Sequence, residues 1–142
     1  PGEYEIKGMM LDARVAPTKN QPKNMLLRVA AEGVTVGMLG GMDHQLKDKE
    51  LELLEGVDIL VLPVGGNGVM TAKMAAETIR QIDPRIVIPV HAAEKGLKEK
   101  LDSIGTFVKE MGSVATEETA KYKITKRQLP QEDMQMVILK KS

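Results

Sequence analysis

Apolar residues recur along the chain with two different periods. Residues 3–16 alternate loosely, with Tyr4, Ile6, Met9, Leu11, Ala13 and Val15 apolar, which predicts one or two strands. Residues 16–24 hold Pro17, Asn20, Pro22 and Lys23 and read as a loop. Met25–Ala31 and Val34–Leu39 are apolar stretches on either side of Glu32-Gly33, a hairpin signal. Val57–Leu62 and Ile86–Val90 are almost continuously apolar, as strands buried on both faces of a sheet are.

The period changes between those two runs. In Thr71–Ile82, residues Met74, Ala75, Thr78, Ile79 and Ile82 share one stripe at helical spacing, and Thr71 is placed to cap the first turn. Strand, helix and strand then form a βαβ unit, with the right-handed crossover expected of such units. A short helix is predicted over Asp48–Glu55, carried by Leu51 and Leu54 and ended by Gly56. A longer one is predicted over Lys95–Met111, with Leu97, Leu101, Ile104, Val108 and Met111 on its apolar side. Tyr122–Lys126 and Met134–Leu139 close the chain as two strands. The whole reads as one α/β domain over residues 1–142 with a mixed sheet and flanking helices.

Composition narrows the function classes. The 142 residues are 42% hydrophobic and 28% charged, enough to build a core. No apolar run approaches the roughly 20 residues that a spanning helix needs, so no membrane partner is expected. Lys plus Arg and Asp plus Glu are both 20, and a neutral chain is a poor match to the cationic face that nucleic acid requires. The basic run Lys121–Arg127 alternates with apolar residues and reads as the wet side of a half-buried strand. With no cysteine, thiolate catalysis, disulfides and Cys-ligated zinc are excluded. That composition and the lack of a visible signal peptide fit a cytoplasmic location.

In open α/β sheets, sites form at the carboxyl ends of strands. Three such ends carry candidate chemistry. Gly65, Gly66, Asn67 and Gly68 follow one buried run. They form either an anion-binding turn of backbone N–H groups or simply a tight strand-to-helix connection. No dinucleotide or P-loop pattern follows them. His91 follows the other buried run, where a metal ligand, a general base or a hydrogen-bonded structural histidine would stand. Asp43 and His44 lie on a loop after Gly40-Gly41, where both could reach a cleft and His44 would stand at its rim. Zinc takes three or four ligands, and the chain has two histidines, so further ligands beside His91 would have to be carboxylates, with Asp43 the candidate.

Four segments in order resemble the metallo-β-lactamase fold, in the branch of metal-dependent hydrolases similar to ascorbate-6-phosphate lactonase. They are PGEYEIKG (1–8), GVTVGMLGGMDHQL (33–46), VDILVLPVGG (57–66) and IDPRIVIPVH (82–91), with MVIL (136–139) closing the match. The resemblance implies part of an αββα sandwich whose rim holds zinc or manganese. There a metal-bridged hydroxide opens esters, lactones or phosphodiesters.

It also implies which ligands this chain lacks. Relatives carry a leading His-x-His-x-Asp-His segment that precedes the part matched here, so the chain corresponds to the C-terminal portion of the fold. The bridging aspartate of relatives falls at Gly41. Asp43 lies two places on, where relatives have glycine. Their middle histidine has no counterpart between Met9 and Asn24. Only His91 matches a metal ligand, and His44 matches a position that is not one.

The expectation is a hydrolase-like chain that binds no metal and is catalytically silent as given. The alternative is a non-catalytic scaffold or small-ligand binder that keeps the fold. An uncovered apolar sheet face further implies a partner, either a second copy in a two-fold dimer or a missing N-terminal segment.

Overall fold

The computed structural model describes residues 2–19, 21–64, 70–90, 102–112 and 114–139. Eight strands form one mixed sheet in the order β1-β2-β3-β4-β5-β6-β8-β7. The first four are β1 (Gly2–Ile6), β2 (Met9–Val15), β3 (Met25–Ala31) and β4 (Val34–Met38), joined antiparallel. Their two tight turns use positive φ at both central residues, Lys7-Gly8 and Glu32-Gly33, as two-residue hairpins require. The loose alternation over residues 3–16 thus resolves into two strands, and the Glu32-Gly33 hairpin forms as predicted.

After β4 the sheet becomes parallel. Strands β5 (Ile59–Pro63), β6 (Ile86–Val90) and β8 (Gln135–Leu139) follow side by side, and β7 (Ala115–Thr119) pairs parallel to β8. The connections carry helices α1 (Asp48–Leu54), α2 (Ala72–Ile82) and α3 (Asp102–Met111).

Helix α2 has the phase that the sequence predicts. Ala75, Thr78, Ile79 and Ile82 are buried and Met74 is half-buried. The Thr71 hydroxyl accepts the Met74 N–H at 3.2 Å, filling one of the orphan donors of the first turn. Asp83, in the left-handed region, ends the helix by donating its N–H to the Ile79 carbonyl. At α1, the Glu50 carboxylate accepts the Lys47 N–H at 2.8 Å. The Arg28 guanidinium donates to the carbonyls of Leu53 and Glu55 at the other end. Gly37 lets this helix lie close, since a Cβ there would stand 2.8 Å from Leu54 Cδ2.

Because side chains alternate along strands, the sheet has two distinct faces. Leu26, Leu60, Leu62, Val87 and Met136 point to one, where they pack with Leu54, Ile79 and Phe107 of the helices into the main core. Ile59, Ile86, Ile88 and Val137 point to the other. A smaller cluster forms there with Leu129 and with half-buried Tyr122 and Ile124.

Two expectations need correction. Residues 122–126 are not a strand. They run without ladder pairing into a 3-10 turn at Lys126–Gln128. The place beside β8 is taken by β7, a strand with no apolar alternation to betray it. The alternation of Tyr122 and Ile124 instead turns two side chains onto the second core cluster. In α3 the central buried residue is Phe107, which the predicted stripe omits, while Val108 and Met111 flank it half-buried. The start of that predicted helix, residues 95–101, lies outside the described residues. Among the described residues no helix is long and apolar enough to cross a membrane.

Candidate functional site

The candidate rim lies past the carboxyl end of β4. Leu39 continues the ladder by donating its N–H to the Val61 carbonyl. The chain then turns at Gly40, whose φ of 61° suits glycine. Asn24, buried at the end of the loop before β3, organises this turn. Its Oδ1 accepts the Gly41 N–H at 2.7 Å, and its Nδ2 donates to the carbonyls of Ala16 and Leu39, both at 3.2 Å. One lone pair of its oxygen and both amide protons are thereby directed at backbone. The loop of residues 16–24 is tied to the loop after β4 by one side chain.

A second tie runs beside the first. Asp43 Oδ2 accepts the Lys19 N–H at 2.9 Å, and Oδ1 lies 2.8 Å from His44 Nδ1. His44 Nε2 faces Glu50 Oε1 at 3.5 Å and makes no hydrogen bond among the described residues. The hydrogen bond from His44, then that from the Lys19 N–H, holds the Asp43 carboxyl below its ordinary value. Asp43 and His44 are thus brought together as adjacent loop residues, but they serve each other and the backbone around them.

The place where the bridging carboxylate of the resembling family would begin is filled. A Cβ at Gly41 would stand 2.6 to 2.8 Å from the amide atoms of Gln21. Gln21 is exposed and its amide is the end of a flexible side chain, so the site is occupied but not sealed. Among the described residues no three His, Cys, Asp or Glu side chains are placed to hold a metal ion. The described residues of this rim, which do not include His91, form no such set on their own. His91 and the turn Gly65, Gly66, Asn67 and Gly68 lie outside the described residues. Sequence reasoning missed Asn24 and Gln21. A polar residue closing a loop ahead of a strand, opposite a Gly-Gly turn, was the available signal for Asn24; nothing marked Gln21.

Comparison with known proteins decides the family. The model of the "Beta-lactamase superfamily domain" matches residues 2–91, more than half of the chain. The chain belongs to that family.

Among curated members, it is similar to a UPF0173 metal-dependent hydrolase of Pyrococcus furiosus, 38% identical over 65 residues, which is 44% of this chain and 28% of that protein. A UPF0173 metal-dependent hydrolase of Pyrococcus abyssi is 37% identical over the same share of each. The matched stretch thus spans under a third of these relatives' length. A solved metallo-beta-lactamase superfamily protein of Thermotoga maritima, named for a Zn-dependent hydrolase, overlays at a TM-score of 0.82 and 25% identity. That match covers 98% of this chain and 69% of the other. A metal-dependent hydrolase of Parabacteroides distasonis shares the fold at a TM-score of 0.62 and 18% identity, over 95% of this chain and 52% of its own. The superfamily domain seen here is therefore the mixed sheet with its helices, the fold class expected from the four resembling segments.

Proposed function

We propose that residues 1–142 are the C-terminal portion of a metal-dependent hydrolase fold in the branch similar to ascorbate-6-phosphate lactonase, and that the chain as given does not hydrolyse. The substrates of the parent activity are esters, lactones or phosphodiesters. What carries this reading is the rim after β4. Gly41 has no carboxylate to offer, the Gln21 amide lies where one would start, and Asp43 spends both oxygens on Lys19 and His44. A bound metal would supply an activated hydroxide and polarise the scissile bond, but the described residues provide no set of ligands for it.

The test is a turnover screen of the purified chain. Aryl esters, lactones and bis-aryl phosphodiesters are offered with zinc or manganese added and with chelator. The expected result is no difference between the two conditions for any substrate. Metal-dependent turnover abolished in His91→Ala would overturn the reading and restore a working site.

The second reading, a non-catalytic scaffold or small-ligand binder, is favoured by the double tie of the two loops through Asn24 and Asp43. A rim fixed by backbone hydrogen bonds suits a rigid surface better than a metal loop that must admit substrate. Ligand-induced thermal stabilisation by a small anion, with no turnover, separates this reading from the first.

A further inference from the structure

We draw no further inference here: the strongest candidate, the side-chain cluster of Asp43, His44 and Glu50 between the loop after β4 and the first turn of α1, in which His44 Nδ1 lies 2.8 Å from Asp43 Oδ1 and His44 Nε2 faces Glu50 Oε1 at 3.5 Å, belongs to the rim already described and among the described residues forms no ligand set for a metal ion.

Discussion

Replacing Asn24 by alanine removes the side chain that joins the two loops at the rim. Three hydrogen bonds disappear together, one accepted from Gly41 N–H and two donated to Ala16 and Leu39. A net contribution of about 1 kcal/mol each gives about 3 kcal/mol. The side chain is buried, so water does not freely replace it, and the Gly41 N–H and Ala16 carbonyl lose the partner they have. The Leu39 carbonyl keeps the Met42 N–H at 3.3 Å, which trims the loss. The expected destabilisation is about 2 to 4 kcal/mol.

Equilibrium urea unfolding is the assay. With a slope of roughly 2 kcal/mol per molar for a domain of this size, the midpoint should fall by about 1 to 2 M. Gln21→Ala is the control, because its amide rests against the same turn from an exposed side chain. It should cost under about 0.5 kcal/mol. Asn24→Asp keeps an acceptor for Gly41 but turns a carboxylate towards two carbonyl oxygens, so it should cost at least as much as alanine. An Asn24→Ala midpoint no lower than that of Gln21→Ala would refute the idea that this residue holds the rim.

Other consequences can be measured in the same way. Ile79→Ala, in the main core with no exposed surface, should cost about 2 to 5 kcal/mol through lost burial and the cavity left behind, while exposed Gln81→Ala should leave the midpoint nearly unchanged. Gly37→Ala should cost about 1 to 3 kcal/mol, since the added methyl meets Leu54 on α1; a neutral result would mean that the helix does not pack there. Asp43 is held below its ordinary value by His44 and Lys19. Its contribution is therefore complete above the ordinary carboxylate value and is lost as pH falls through the lowered one. Thermal unfolding of Asp43→Asn should differ from the parent at neutral pH and converge with it in acid, once pH is below the lowered value; parallel pH profiles would count against the tie.

The parts of the fold that could be read from sequence are those whose burial is written in their own spacing. Val57–Leu62 and Ile86–Val90 are covered on both faces, so nearly every residue is apolar. The stripe of α2 follows the 3.6-residue period because only one side meets the sheet. Strand β7 leaves no such trace: Ala115–Thr119 lies at the sheet's edge, largely exposed, and is a strand by its backbone pairing alone. Tyr122 and Ile124 show the converse. Their alternation reports inward side chains truly, yet period two does not distinguish a strand in the sheet from an irregular segment laid across its face. At the rim, the resemblance implies a carboxylate where this chain has Gly41. What lies against Gly41 was not legible, because Gln21 and Asn24 reach it from some 20 positions earlier only once the chain before β3 folds back.

Elemental analysis of the purified 142-residue chain, after dialysis against zinc and then against manganese, tests the central claim most directly. With no carboxylate at Gly41, where the resemblance implies one, and Asp43 engaged by Lys19 and His44, the account predicts no stoichiometric metal, and the same result for the parent chain and for His91→Ala. About one or two tightly held ions per chain, lost in His91→Ala, would contradict it, because a centre of that kind needs three or four ligands that the described rim does not supply.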